Sequence, residues 1–310
     1  MSRTNCQGIS VIIPCFNSGE YLLDAIDSVI LNCSINYEII VVNDGSTDKT
    51  TLSIIKKITE SGNVRVLNQS NQGPAAARNS GISSSSFSKI LSLDADNIAM
   101  HGYLNQAPAL LSDVTCDVVY GDAITFGRES GYWDLSQLNL TEMIVKNQLD
   151  TCAVFTKDIW NQVGGYPESR ELVGYEDWIF WLKIICAGGR FKYLADVGFK
   201  YRLLSNSLMS EYNINPLKKL PVFNAYLSYQ LKTADYFLNN GLVSNSFYRT
   251  SLSEIYGNLS YYSFNCGKML TGFRICFKSI CYKPFFNKYT RCLLTGPIKL
   301  IINLLSNLKN

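Results

Sequence analysis

The sequence predicts an α/β protein with a mostly parallel sheet, helices on both faces, and a helical region at its C-terminal end. Three observations carry this expectation. Short β-branched apolar runs alternate with stretches whose apolar residues recur at helical spacing. Polar, chemistry-bearing residues stand where those runs end, which is where ligands sit in open parallel sheets. After Pro216 the alternation gives way to a helical, aromatic-rich pattern.

Ile9–Pro14 and Glu38–Asn43 read as buried parallel strands, ending at Pro and at Asn-Asp-Gly. Between them, Leu22, Ile26, Val29 and Ile30 mark a helix. The alternation continues through a strand at Val64–Leu67, a helix from Pro74, a strand at Lys89–Leu93, a helix near Tyr103–Leu111 and a strand at Asp117–Tyr120. Repeated units of this kind argue for one open sheet. Beyond them, Thr151–Phe155 reads as a strand, Gly164-Gly-Tyr-Pro167 as a turn, and Trp178, Trp181, Leu182 and Ile185 as the buried stripe of a helix. Phe191–Leu194 and Val197–Arg202 read as two strands. A domain boundary is expected near 215, dividing a catalytic domain at 1–215 from a helical, basic and aromatic region at 216–310.

Composition narrows the classes. The 310 residues are 47% hydrophobic and 17% charged, enough for a sizeable core. The N-terminus reads as lacking a signal peptide, and no stretch approaches the roughly 18 apolar residues of a membrane span. Ten cysteines without a Cys-x-x-Cys pair and a single histidine, His101, argue against a structural zinc site or a disulfide framework. A cytoplasmic protein is the expectation. Charge is uneven: 255–310 holds eight Lys/Arg and no acid, while 20 basic and 25 acidic residues leave 1–254 at −5.

The candidate site rests on several short motifs. In Leu93-Asp-Ala-Asp96, residues i and i+2 of an extended segment face one way, so Asp94 and Asp96 converge. Two such carboxylates suit Mg²⁺ or Mn²⁺, which takes its other ligands from phosphate and water; helix-start capping is the alternative. Asp44 follows a buried strand and can accept hydrogen bonds from a base or ribose, or serve only as an Asn-Asp-Gly turn residue. The first strand is followed by Pro14-Cys-Phe-Asn-Ser-Gly19, so a Gly-x-Gly-x-x-Gly dinucleotide loop is excluded. Arg78 stands one turn into the helix from Pro74, where an arginine suits a phosphate or, on local grounds alone, is a surface residue. Asp177, in the first turn of its helix, is expected to be kept ionised by the dipole, as a general base requires.

Taken together, Ser10-Val-Ile-Ile-Pro-Cys-Phe-Asn17, Val42-Asn-Asp-Gly-Ser-Thr-Asp48, Asn71-Gln-Gly-Pro-Ala-Ala-Ala-Arg-Asn-Ser-Gly81, Leu93-Asp-Ala-Asp96, Gly164-Gly-Tyr-Pro-Glu168 and Glu176-Asp-Trp178 resemble the motifs of family 2 glycosyltransferases of the GT-A fold, a Rossmann-like arrangement. They occur in that family's order over roughly residues 9–205. The resemblance implies an inverting, metal-dependent transferase that uses a nucleotide-diphosphate sugar. It implies that Asp44 reads the nucleobase beside Pro14, Phe16 and Asn17, and that Arg78 and Asp94 bind the donor. Asp94 and Asp96 then form the metal motif, with Asp96 the direct ligand, and Asp177 is the catalytic base. Tyr201-Arg-Leu-Leu204 departs from a Tyr-Arg-x-His segment, placing Leu204 where a histidine is often found.

The expected acceptor is a glycan or lipid-linked hydroxyl in bacterial-type surface polysaccharide or glycolipid synthesis. Two alternatives stay open at this stage: a metal-dependent nucleotidyltransferase, and a catalytically silent nucleotide-sugar-binding scaffold. In the tail, Ile298, Ile301, Leu304, Leu305 and Leu308 share one helical face, and aromatics interleave with cations upstream. An anionic membrane surface on the cytoplasmic side is the expected partner, against a simple packed appendage. Nucleic acid is not expected, since no recognition motif accompanies the basic residues.

Overall fold

A computed structural model describes residues 8–204 and 216–283. The chain divides into two compact units, Met1–Leu138 with Gln148–Ser205, and Asn139–Asn147 with Asn206–Asn310. The Asn139–Asn147 segment, which belongs to the second unit, carries no sequence signal of that membership.

The first unit is built on one sheet in the order β3-β2-β1-β4-β8-β6-β9-β5. Its N-terminal half follows the expected alternation: β1 (Gly8–Cys15), α1 (Tyr21–Asn32), β2 (Asn36–Asp44), α2 (Lys49–Ser61), β3 (Arg65–Gln69), α3 (Pro74–Ser83) and β4 (Lys89–Ser92). β1 pairs in parallel with β2 and β4, and β2 with β3. Period-2 alternation divides β1 between two layers. Ile9, Val11 and Ile13 face Leu22, Ala25, Ile26 and Val29 of α1 and Ile54, Ile55 and Ile58 of α2. Ile12 faces α3, where Gly81 lets the helix backbone close on Ile12 and Val42; a Cβ at Gly81 would collide with Ile12.

The second half is mixed. β5 (Ile98–Ala99), β6 (Val118–Gly127), β7 (Gly131–Trp133), β8 (Val154–Thr156) and β9 (Phe191–Leu203) complete the sheet. β8 runs antiparallel to β4 and β6, whereas β6 and β9 are parallel. Three sequence expectations are corrected here. Thr151 and Cys152 lie before β8, not within it. The two strands expected at 191–202 are one strand, β9, because a register shift around Gly121/Asp122 of β6 accommodates the intervening residues. The helix near Tyr103–Leu111 begins as a π turn (Gly102–Gln106) and continues as α4 (Ala107–Leu110). Pro108 has no N–H for the α-helical bond to Leu104, and the preceding Ala107 N–H reaches back five residues to Gly102.

α5 (Lys157–Val163) and α6 (Glu176–Cys186) follow β8. α6 is buried on nearly every side: Trp178, Ile179, Phe180, Trp181, Leu182, Ile184 and Ile185 are all in the core, a wider face than the stripe the sequence shows. Phe155, Tyr166, Phe180 and Trp181 pack edge-to-face and stacked, with centroids 4.0–6.4 Å apart. This aromatic block packs Phe180 and Trp181 of α6 against Phe155 of β8.

In the second unit, α7 (Pro216–Asn239), α8 (Asn245–Asn265) and α9 (Met269–Tyr282) form a helical assembly. The Ile298–Leu308 face lies outside the described residues, as does position 215. Among the described residues no helix is long and apolar enough to cross a membrane.

Candidate active site

Three loops at the carboxyl ends of β1, β2 and β4 meet as the parallel register requires. Asn17 adopts a left-handed conformation (φ 51°), which asparagine tolerates better than most residues. In that pose its Oδ1 accepts from the backbone N–H of Thr47 (2.7 Å) and Asp48 (3.1 Å), while its own N–H donates to Ser46 Oγ (3.1 Å). The β1 and β2 loops are thereby locked together, with Phe16 beside them half-exposed at 48%. Pro14 stands one residue before the end of β1, opposite Val42.

Asp44 is buried. Its Oδ1 accepts from Gln69 Nε2 (2.8 Å) and the Gln72 N–H (2.9 Å), and its Oδ2 from the Gly73 N–H (2.8 Å). Three of a carboxylate's roughly four acceptor positions are thus spent on the end of β3 and the loop that leads from it into α3. Gly45 turns the chain with φ 73°, and a Cβ there would lie 2.8 Å from the Asn71 nitrogen.

Arg78 lies inside the protein, its side chain 5% exposed. Its Nη2 donates to Asp94 Oδ1 (2.7 Å), its Nη1 to Glu176 Oε1 (2.6 Å), and its guanidinium stands over the Tyr166 ring at 5.5 Å. The sequence placed Arg78 on the nucleotide; the structure places its two terminal nitrogens on carboxylates of β4's exit loop and α6. Glu176, quoted in the sequence motifs but given no role there, also accepts from the Gly174 N–H at 2.6 Å. The Arg78 fork therefore fixes the Asp94 turn relative to the first turn of α6, where Asp177 sits.

An overlooked residue is Asp150, in the loop before β8. Burial, and then Asp94, push its carboxyl up to about 7. Its signal was faint: a lone aspartate in a polar stretch. Asp96 is pushed up to about 6, first by burial and then by Asp94, against a smaller pull from Arg202. Asp177 sits among more burial and negative charge than its place at a helix start suggests. Burial, then Glu176 and Asp150, hold its carboxyl well above the usual carboxylate range, although the Trp178 N–H donates to its Oδ1 at 2.6 Å. Burial first, and then the two neighbouring carboxyls, act against the helix dipole at this first-turn position. The result is a stronger base than a solvated aspartate.

The residues present suit a divalent ion. All the donors are hard carboxylate oxygens, and Asp96 is raised first by burial and then by Asp94, costs that a bound cation would offset. Asp94 keeps Oδ2 after giving Oδ1 to Arg78. Among the described residues no three His, Cys, Asp or Glu are grouped to hold a metal, so phosphate oxygens and water would complete its shell.

A family model for glycosyl transferase family 2 matches residues 10–165, half of the chain and all three of these loops. The chain belongs to glycosyl transferase family 2. This family 2 glycosyltransferase is 33% identical over 124 residues to the glycosyltransferase GlyG of Streptococcus pneumoniae serotype 4, covering 40% of this chain and 41% of GlyG. It is 26% identical over 238 residues to the uncharacterized glycosyltransferase YibD of Escherichia coli K12, covering 74% of this chain and 64% of YibD. Among three of the curated relatives the matched part spans 14–41% of the relative's length. In fold, it superposes on S. aureus TarS 1-349 in complex with UDP-GlcNAc with a TM-score of 0.62 at 19% identity, over 89% of each chain. It superposes on the mannosyltransferase PcManGT of Pyrobaculum calidifontis, in complex with GDP-Man and Mn²⁺, with a TM-score of 0.55 at 18% identity, covering 97% of this chain and 86% of that one. The fold of the first unit is thus of the GT-A type.

Proposed function

We propose that this family 2 glycosyltransferase moves a sugar from a nucleotide-diphosphate donor to an acceptor hydroxyl with inversion, and that residues 1–215 carry the catalysis. The observation that carries this reading is the Arg78 fork. It holds Asp94 and the Asp177 turn in a fixed relation, with Asp177 tuned as a base. Asp177 takes the proton of the acceptor hydroxyl while its oxygen attacks the anomeric carbon. The bond from that carbon to the diphosphate breaks on the opposite face, and the nucleoside diphosphate departs. No covalent sugar–enzyme intermediate arises, and no nucleophile is assigned. Asp44, with Pro14, Phe16 and Asn17, forms the nucleobase end of the site; Phe16 is exposed enough to lie against a base. Arg78 acts on the donor through Asp94.

A bound Mn²⁺ or Mg²⁺, held by Asp96 and Asp94, would supply Lewis-acid neutralisation of the charge on the leaving diphosphate. Donors of this class fit the ligands named for the structural neighbours, UDP-GlcNAc and GDP-Man. Resemblance to proteins such as the chondroitin synthase of Pasteurella multocida, 26% identical over 219 residues, supports a glycan acceptor in surface polysaccharide synthesis. The test is a panel of nucleotide-sugars assayed with and without Mn²⁺, with the anomeric configuration of the product read by NMR. Turnover of at least one donor, its loss in excess chelator, and an inverted product are expected. Full activity in chelator removes the metal role, and a retained configuration removes the single displacement.

A peripheral seat on an anionic, cytoplasmic-side membrane surface is part of the same proposal, favoured by α9. Leu270, Phe273 and Phe277 are 87%, 38% and 69% exposed and recur at i, i+3 and i+7, with Lys268, Arg274 and Lys278 nearby in the chain. Each cation near an anionic surface contributes about 1 kcal/mol. A lipid-linked acceptor would suit a transferase held at such a surface. The full-length chain should co-sediment with vesicles containing phosphatidylserine and not with neutral vesicles. Binding should weaken with salt and be lost in a Leu270→Glu/Phe277→Glu variant. Indifference to anionic vesicles at low salt overturns the anchor.

A further inference from the structure

Beyond the residues that hold donor and acceptor, one arginine is built into the metal turn from behind. The Asp94–Asn97 turn is closed by the Asn97 N–H on the Asp94 carbonyl (3.0 Å). Arg202, near the end of β9, grips this turn twice. Its backbone N–H donates to Asn97 Oδ1 (3.0 Å) and its Nε to the main-chain carbonyl of Asp96 (2.8 Å). The guanidinium lies between two aromatic rings, 4.5 Å from Tyr21 of α1 and 4.4 Å from Phe126 of β6. Its Nη2 is paired with Asp24 of α1 at 2.7 Å, and its side chain is only 14% exposed. Three elements converge to immobilise one cation against the peptide that carries Asp96.

We propose that Arg202 is a positioning residue that presents Asp96 to the divalent ion, in a chain whose Leu204 brings no imidazole to that end of β9. The inference rests on the metal-dependent reading above. Its sign follows from the geometry. A bare cation beside a metal site repels the metal, but the Arg202 charge is matched by Asp24, so orientation of the Asp96 peptide is its net contribution. The planar guanidinium is suited to this: it lies over both rings while its nitrogens bond a carbonyl and a carboxylate, which an ammonium cannot do in the same way.

The experiment is calorimetric titration of UDP or GDP, whichever the wild-type chain binds, at graded Mn²⁺ and in chelator. Residues that orient metal ligands typically change metal affinity by 10–100-fold, so Arg202→Ala should raise the Mn²⁺ needed for half-maximal nucleotide binding by about that factor. Binding in chelator should stay as in wild type. Arg202→Lys should lie closer to the alanine variant than to wild type. Asp24→Asn, a change on the exposed side of α1, leaves the fork in place but unpairs its charge. It should shift the Mn²⁺ requirement in the same direction by less, and it carries the test if Arg202→Ala does not fold. An unchanged or tighter Mn²⁺ requirement in Arg202→Ala overturns the proposal, as does an equal loss with and without metal. If wild-type nucleotide binding is itself indifferent to Mn²⁺, the metal reading fails first and this inference falls with it.

Discussion

Asp177→Asn is expected to reduce sugar transfer by about 10²–10⁴-fold, the usual contribution of a positioned acid–base group, with donor affinity little changed. Asparagine keeps the size of the side chain and can still accept the Trp178 N–H, now made by Asp177 Oδ1 at 2.6 Å, so α6 should start as before. What is lost is the proton acceptor. The pH dependence gives an independent check. A base must be ionised, so the rate falls as pH falls through its pKa; Asp177 is held above the ordinary range by burial, Glu176 and Asp150. The acid limb should therefore lie at higher pH than a solvated aspartate would give. Asp150→Asn removes one of the raising charges and should move that limb to lower pH. A donor-affinity loss as large as the rate loss in Asp177→Asn would make the residue a helix cap and not the base.

Arg78→Ala should cost about 3–5 kcal/mol of stability, the range seen when one partner of a buried ion pair is removed. The reason is what remains behind. Glu176, its side chain 7% exposed, would keep only the Gly174 N–H among the bonds that now satisfy it, and Asp94 would lose its fixed partner. Arg78→Lys should recover part of the loss, because one ammonium cannot span both carboxylates as the fork does. Urea titration followed by tryptophan fluorescence is the measurement, since Trp133, Trp160, Trp178 and Trp181 all belong to the first unit. A loss within the 0–1 kcal/mol of exposed pairs would mean that solvent screens the fork after all. The contrast with Asp177 is diagnostic: Arg78 should lower stability and activity together, Asp177 activity alone.

The sequence by itself determined the parallel half of the sheet and its loops. Val11-Ile-Ile13 and Ile39-Ile-Val-Val42 are β-branched runs buried on both faces, a pattern that few other environments accept. Pro14, Asn17, Asp44, Asp94 and Asp96 stand at the ends of such runs, so strand register alone placed them along one edge. Short-range chemistry was legible too: Pro74 opens α3, acting within a few residues of its place in the chain.

Tertiary structure decided the rest, and in each case through partners distant in sequence. Arg78 and Glu176 are separated by 98 positions and Arg202 and Asp96 by 106, so no local pattern announces either contact. β9 looked like two strands because its continuity depends on a register shift with β6, a property of the pair and not of either strand. The shift of the Asp177 carboxyl has the same origin. A helix dipole is visible from a first-turn position, whereas burial and the fields of Glu176 and Asp150 exist only once the chain has folded around them.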